Sequence, residues 1–190
     1  MTELRNLMVR YCHGDTGAFD ELYEHVAPRL LGFLIKLSTQ RSLAEDLLQE
    51  TFIKIHRARA SYIRSADPLP WMFAIAHRTF IDEMRRQGRS KERVAATDDL
   101  PEISTNHRGT REEHDDTLED ELVREALEAL GSLPIAQREA VVLTKLEGKS
   151  VAEAAAIAGT TLGAMRVRMH RGYEILRRAL NRTTKVEDAS

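Results

Sequence analysis

Apolar residues recur every three or four positions along most of this chain, which is the spacing that predicts amphipathic α-helices. No stretch alternates apolar and polar residues in the way that a half-buried strand does, so the predicted fold class is all-α. The runs near the N-terminus are Leu4, Leu7, Met8, Tyr11, then Phe19, Leu22, Tyr23, Val26, then Leu30, Phe33, Leu34, Leu37.

A third helix is predicted to open at Ser42, because a serine followed three residues later by Glu45 is the pattern of a capping box. A loop over 61–67 follows, and two prolines then begin a fourth helix over 68–84 that gives way to a basic run. These helices predict a first small domain over residues 1–95. The buried positions expected in the third helix are Ala44, Leu47, Leu48, Thr51, Phe52 and Ile55.

Four more helices are predicted in the C-terminal part of the chain, and they form a second small domain over residues 122–182, followed by a tail over 183–190. The predicted elements are a helix stopped by Gly131, a helix from near Pro134 to Gly148, a short helix from Ser150 to Gly159 and a last helix from about Thr161 to Leu180.

The last two predicted helices have the pattern of a helix-turn-helix. Ser150 and Glu153 form a second capping box, the short helix is rich in alanine, and Gly159 stands in the turn before a longer basic helix. A slim first helix allows close crossing, and the second helix is the one that enters the major groove of DNA. An ordinary bundle helix with a solvated basic face is the alternative interpretation.

The helical wheel sorts the last helix into faces. At 100° per residue its buried side should carry Met165, Met169, Gly172 and Leu176. The flanks are then suited to phosphates and the outer side to base edges. The DNA-binding prediction assigns phosphates to Arg166 and Arg168, base edges to His170 and Arg171, and adds Thr161 and Val167 to the same surface.

Charge is distributed unevenly along the 190 residues, although the formal net charge is only −2. Residues 1–95 hold 15 basic and 12 acidic residues, 96–121 hold 2 and 10, and 122–190 hold 11 and 8, so the three net charges are +3, −8 and +3. An acidic segment with almost no large apolar residues predicts a flexible linker over 96–121. Two interpretations of its charge stay open. The segment is a solubilising tether, or it is a linker whose acidic residues lie against basic surfaces of a partner protein.

Several classes of function are excluded by what the sequence lacks. The single cysteine, Cys12, fits a reducing cytosol, and no uncharged run approaches the length of a membrane span or a secretion signal. The sequence holds no Gly-rich phosphate loop and no nucleophile paired with a base, so neither an enzyme nor a cofactor is expected. Histidines in the linker, His107 and His114, are not expected to hold a metal.

The motifs together resemble the extracytoplasmic-function (ECF) sigma factors of bacterial RNA polymerase over nearly the whole chain. Ala44–Arg57 is similar to the family's polymerase-clamp-binding helix, Trp71–Arg86 to its promoter-reading helix, and Gly163–Arg171 to its recognition helix. The resemblance implies that the first domain binds core polymerase and melts the minus-ten element, while the second reads the minus-thirty-five element. It also implies promoter DNA and an anti-sigma factor as partners, and a cytoplasmic, nucleoid-associated protein without membrane insertion.

The third predicted helix turns a charged face away from its buried side, and an isoleucine lies at the centre of that face. An apolar residue ringed by charges suggests a protein contact. By resemblance this face meets basic residues of the polymerase clamp. The polymerase-binding prediction consists of Asp46, Gln49, Glu50, Ile53 and Arg57.

Melting requires a positive surface and a place for unstacked bases. The loop over 61–67 is the expected place, and His77-Arg78 stands where relatives commonly carry Arg-Asn, which leaves the minus-ten preference open. Trp71 near a helix start is interpreted as a core residue or as a stacking platform. The predicted minus-ten set is Tyr62, Arg64, His77, Arg78, Arg85, Arg86 and Arg89.

Two other functions compete with the sigma factor. An ordinary transcriptional regulator would explain the helix-turn-helix but would leave the charged face of the third helix and the basic run over 85–93 unexplained. A protein-interaction module that captures an anti-sigma factor would explain the acidic linker but would leave the arginines of the last helix unexplained.

Overall fold

The computed structural model describes residues 2–95 and 118–187, and their side chains over 3–88 and 121–179. The N-terminal domain has the four predicted helices, with a short 3₁₀ turn, Arg59–Ser61, after the third. The helices are α1 (Thr2–Cys12), α2 (Thr16–Ser38), α3 (Arg41–Ala58) and α4 (Pro68–Ala95). Within the described ranges the fold is all-α, as predicted.

Two local predictions in this domain were wrong. Helix α3 begins at Arg41 with Gln40 as its N-cap, so Ser42 lies inside the first turn and makes no capping bond. The carboxylate of Glu45 instead accepts a hydrogen bond from the Arg41 guanidinium at 3.0 Å. Helix α4 also continues through the basic run to Ala95, because charged side chains do not interrupt the backbone hydrogen bonds of a helix.

The C-terminal domain contains the four predicted helices. They are α5 (Leu118–Gly131), α6 (Ile135–Val141), α7 (Val151–Ile157) and α8 (Leu162–Glu187), with one π-helical turn, Val142–Leu146, after α6. Helix α5 starts inside the segment predicted as linker, and α8 reaches into the predicted tail. The remainder of the predicted linker, 96–117, lies outside the described residues.

The core of the N-terminal domain is built around α2, which contacts α1, α3 and α4. All six positions predicted to be buried in α3 are buried. Asp15 caps α2 by accepting the backbone N–H of Ala18 at 3.1 Å, and this bond, with the Arg10 guanidinium, lowers the pKa of the carboxyl. The largest fully buried side chains of the domain include Phe33, Phe73 and Phe80.

The C-terminal domain packs its last helix, α8, against α6, and α7 lies against α8. Its buried residues include Val141, Val142, Leu143 and Met165. The two domains also touch each other: α5 and α6 contact α2, and α7 contacts α4. Among the described helices none is long and apolar enough to cross a membrane.

Candidate nucleic-acid and protein interfaces

The helix-turn-helix forms as the sequence predicts. The Ser150 hydroxyl accepts the backbone N–H of Glu153, and the Glu153 carboxylate accepts the backbone N–H of Ser150, so the capping box is complete. The hydroxyl hydrogen bond to the carboxylate is the main reason that the pKa of Glu153 is lowered. Gly159 has φ +60°, a left-handed conformation that side chains disfavour, and it makes the turn between α7 and α8.

Helix α8 is held on α6 by the face that the helical wheel predicted. Met165 is fully buried, Gly172 is buried, and Met169 and Leu176 pack against the core. A side chain at Gly172 would place its Cβ 2.8 Å from Cγ2 of Val141, so the two helices need a glycine to approach this closely.

The opposite face of α8 is exposed. The side chains of Arg166, Val167, His170 and Arg171 face solvent. Thr161 is exposed as well, and its hydroxyl accepts the backbone N–H of Ala164 at 3.1 Å, which caps the helix. The exposure fits the predicted DNA surface, while the contacts assigned to each residue stay predictions.

Arg168 differs from the other five residues of that set. It is only partly exposed, and its Nη1 lies 3.9 Å from Oε2 of Glu139 on α6. Glu139 is 4% exposed and its other oxygen, Oε1, lies 3.2 Å from Nε2 of His77 on α4. Arg168, predicted to contact a phosphate, and His77, predicted to contact the minus-ten element, therefore both lie beside the carboxylate of Glu139.

Helix α4 presents the residues of the predicted minus-ten set unevenly. His77 is 4% exposed and covered by the C-terminal domain, whereas Arg78 faces solvent. Arg85 and Arg86 are exposed and lie close to acidic neighbours one turn earlier on the same helix. The side chain of Arg89 lies outside the described residues.

The loop over 62–67 separates its two predicted residues. Arg64 is exposed, but Tyr62 is buried, donates its hydroxyl to the carbonyl of Ala66 and packs on Trp71 with ring centroids 5.5 Å apart. Tyr62 is thus a core residue in this conformation, and burial raises the pKa of its phenol. Trp71 is partly buried against it, which fits the core interpretation.

Ile63 is the residue of this loop that sequence reasoning missed. Its side chain is 69% exposed, more than any other large apolar residue among the described side chains. An apolar residue at a loop tip is chemically suited to contact the face of an unstacked base. The signal was present in the sequence as an isoleucine between polar residues of a predicted loop.

The predicted polymerase face of α3 is exposed along its whole length. Ile53, at its centre, is 51% exposed, and Lys54 reaches back to Glu50 at 3.0 Å. This face consists of Asp46, Gln49, Glu50, Ile53 and Arg57. This face therefore has an exposed apolar centre surrounded by charged and polar side chains, an arrangement typical of protein-binding surfaces.

The polar contacts between the two domains were also missed. Lys36 lies 2.8 Å from Glu147, 111 positions along the chain, and Arg138 donates to the carbonyl of Leu37 at 2.7 Å across 101 positions. Burial lowers the pKa of Arg138. The one feature of the sequence that could have indicated a buried polar contact was Glu139, an acidic residue directly before an apolar run.

Two family models match the chain in the order of its domains. Sigma-70 region 2 matches residues 22–90, and Sigma-70 region 4 matches residues 124–176. The first match covers α3 and most of α4, and the second covers the helix-turn-helix.

Two curated relatives match over almost their full length. The chain is 39% identical to RNA polymerase sigma factor CarQ of Myxococcus xanthus, over 91% of this chain and 95% of the relative. It is 34% identical to ECF RNA polymerase sigma factor SigF of Caulobacter vibrioides, over 95% and 96% of the two chains.

Solved structures share the fold. A sigma factor RpoE in complex with the anti-sigma factor NepR from Bartonella quintana is similar with a TM-score of 0.67 and 28% identity, over 86% of this chain and 96% of that one. CnrH in complex with the cytosolic domain of CnrY also has a TM-score of 0.67, at 23% identity over 94% and 97%.

Proposed function

The chain belongs to the extracytoplasmic-function (ECF) sigma factor family of bacterial RNA polymerase, and we propose that one of its exposed faces binds core polymerase and others bind promoter DNA. The function of the chain is promoter-specific initiation of transcription. Sigma factors are regulatory subunits, and we propose no reaction catalysed by this chain. The domain limits 1–95 and 122–182 are part of the proposal.

The polymerase contact is assigned to α3. The observation that carries the assignment is that one chain holds an exposed acidic face there and an exposed basic face on α8. Asp46, Gln49 and Glu50 offer acceptors to basic groups of the clamp, and Ile53 supplies an apolar centre whose burial would favour the complex.

The promoter contacts are assigned to two surfaces. Helix α8 reads the upstream element, with Arg171 and His170 of its outer face at base edges and Arg166 and Arg168 of its flanks at phosphates. Arg64, Arg78 and the basic end of α4 supply positive charge beside the strand that melts. Arg85 and Arg86 are exposed at this end, and His77 reaches DNA only after its cover is removed.

An anti-sigma factor is the proposed negative regulator, supported by the likeness to a sigma factor solved together with one. We place the protein in the cytoplasm and, through its promoters, at the nucleoid.

Purified chain is tested with core polymerase in run-off transcription from candidate promoters. We expect specific start sites only when chain and core are combined. An ordinary regulator would bind its operator without conferring initiation on core, and an interaction module would do neither.

The polymerase face is tested by replacing Asp46→Lys together with Glu50→Lys. Reversing both charges should abolish copurification with core while helicity, measured by circular dichroism, is unchanged, because both side chains are exposed. The matched control is Asp20→Lys with Glu24→Lys, an exposed pair of the same spacing on α2. Normal binding by the α3 variant, or equal loss in the control, would remove α3 from the interface.

A further inference from the structure

The outer side of α8 carries two residues that are poor helix formers. Gly163 and Val167 lie one turn apart, and each is two positions from Met165, which is fully buried. At about 100° per residue, both positions lie almost directly opposite the buried face. Both are exposed, and the exposed fraction of the Val167 side chain is 49%. Together they form an apolar line along the solvent side of the helix.

The packing of the chain itself explains neither residue. A Cβ at Gly163 would meet no atom of the described residues within 4 Å, apart from its chain neighbours and its own helix backbone. Positive φ angles are found at other described glycines, Gly14, Gly148 and Gly159, and not at this one. Glycine and β-branched valine both lower the stability of a helix relative to alanine. A local preference that is broken without a compensating contact is expected at a functional position.

Cationic side chains lie around the apolar line. Arg166 and Arg171 are exposed on either side of Val167, and His170 follows it by one turn and is exposed as well. This arrangement suits duplex DNA, because cations beside the groove pair with phosphates while the centre of the helix face meets base edges. Valine has no hydrogen-bond donor or acceptor in its side chain, so Val167 can make only an apolar contact with a base.

The major groove offers one apolar group to such a contact. The base edges present hydrogen-bond donors and acceptors there, and the C5-methyl group of thymine is the apolar feature among them. Contact between Val167 and that methyl group would remove apolar surface of both from water. The bare backbone at Gly163 would let the DNA approach α8 more closely than any side chain at that position would.

We propose that the apolar line reads thymine in the upstream promoter element, with Val167 on a C5-methyl group and Gly163 at the closest approach of DNA to the α8 backbone. The inference rests on the proposed function, because it takes α8 as the helix that enters the major groove. It adds to that function the base that is read and the chemical group that is recognised. An acidic protein is the competing occupant of this face, and its presence would not make promoter binding depend on a methyl group.

Replacement of thymine by deoxyuridine tests the methyl contact, because the two bases differ only in the C5-methyl group. Each thymine of the upstream element, on either strand, is replaced in a promoter that the holoenzyme transcribes, and affinity is measured at one salt concentration. At one position or more, the wild-type holoenzyme should bind about fourfold more weakly, the factor that corresponds to burial of one methyl group. Val167→Ala should bind the thymine promoter with a similar loss and should no longer distinguish the two bases there.

Leu162→Ala is the matched control for Val167→Ala. Leu162 is also exposed on α8, at 41%, but it lies only about 60° around the helix from Met165 and so outside the apolar line. This variant should keep the full difference between thymine and deoxyuridine.

Gly163→Ala tests the close approach of DNA. The free variant should unfold at the same or a higher urea concentration than the wild type, because the added Cβ has space and alanine favours the helix. Its holoenzyme should nevertheless bind the promoter more weakly than the wild-type holoenzyme does. Unchanged promoter affinity in this variant would overturn the role of Gly163.

The remaining outcomes separate this inference from the proposed function. If deoxyuridine has no effect at any thymine, or the same effect in wild type and Val167→Ala, the methyl contact is overturned while specific initiation, and with it the proposed function, stands. If the wild-type chain confers no specific initiation on core polymerase, the proposed function fails and this inference fails with it.

Discussion

Two arginines of α8, both predicted from the sequence to contact phosphates, differ in their exposure to solvent. Arg166 is exposed, whereas Arg168, two positions later, is partly buried beside the carboxylate of Glu139. Arg171 lies on the outer face with Val167 and is exposed. The direction in which each side chain points around the helix axis therefore separates Arg171, which can reach a base edge, from Arg166 and Arg168, which lie toward the groove walls.

Arg171→Ala should lower holoenzyme affinity for the promoter by about 1–3 kcal/mol and relax base preference at the upstream element, because a base-edge contact is lost. Arg166→Ala should weaken all sequences similarly and reduce the salt slope by about one, because a phosphate contact is lost. Binding of promoter variants at several salt concentrations distinguishes the two. A changed sequence preference in Arg166→Ala would contradict the facing of α8.

At the scale of single elements, two serine–glutamate pairs with the same spacing behave differently. Ser150 caps α7 and exchanges hydrogen bonds with Glu153, while Ser42 lies inside α3 and caps nothing. The difference arises because the N-cap of α3 is Gln40, two residues before Ser42, and the Arg41 guanidinium hydrogen-bonds to the Glu45 carboxylate. A capping pattern thus predicts a helix start only when no competing partner is nearby.

Ser150→Ala should lower the free energy of unfolding by about 1 kcal/mol, because the backbone N–H of Glu153 loses its acceptor. Ser42→Ala, the matched control, should leave it nearly unchanged, since its hydroxyl makes no capping bond. Urea unfolding of the two variants measures both. Equal losses would show that α7 is not stabilised by its cap.

The Ser150 effect should depend on pH. The pKa of Glu153 is lowered in the folded chain, chiefly by the Ser150 hydroxyl, so its stabilising effect is present above the unfolded pKa of about 4.3. It is lost as the pH falls through the lower folded pKa. Unfolding measured from neutral pH to acid should therefore show the difference between the wild type and Ser150→Ala narrowing, because the bond from the Ser150 hydroxyl to the carboxylate is lost while the bond from the Glu153 backbone N–H remains. A constant difference would contradict a stabilising bond between that hydroxyl and the carboxylate.

At the scale of the whole molecule, two features act against DNA binding by the free chain. The segment 96–121 carries a net charge of −8 between two domains of +3, and negative charge can compete for basic surfaces. The contact of α4 with the C-terminal domain covers His77 at the same time. Core polymerase removes both obstacles if it holds the domains apart, since the second promoter contact then becomes intramolecular.

The free chain should therefore bind its promoter weakly and the holoenzyme tightly, measured at one salt concentration. Changing the acids of 96–121 to Asn and Gln should raise the affinity of the free chain, because charge competition is removed. An ordinary regulator binds alone at about 10⁻⁸ M or better, so binding that tight by the free wild type would contradict the prediction.

The sequence by itself determined the eight α-helices found in the described ranges, and the buried faces of α3 and α8. Those features follow from the period of one helix and from neighbours a few residues away, so Ala44, Leu47 and Met165 could be placed without any partner. The family resemblance rested on the same local segments. The end of α4 and the start of α5 were placed less well, because a run of charges does not mark where a helix stops.

Only the tertiary structure decided that Tyr62 is a core residue, that Glu139 is buried and that His77 is covered. Each depends on how helices from distant parts of the chain dock, as the Lys36–Glu147 pair does across 111 positions. The spacing of apolar residues predicts which side of a helix is buried, but it does not predict which other helix packs against that side. The polar side of α4 was therefore predictable as a surface, and its cover by the second domain was not.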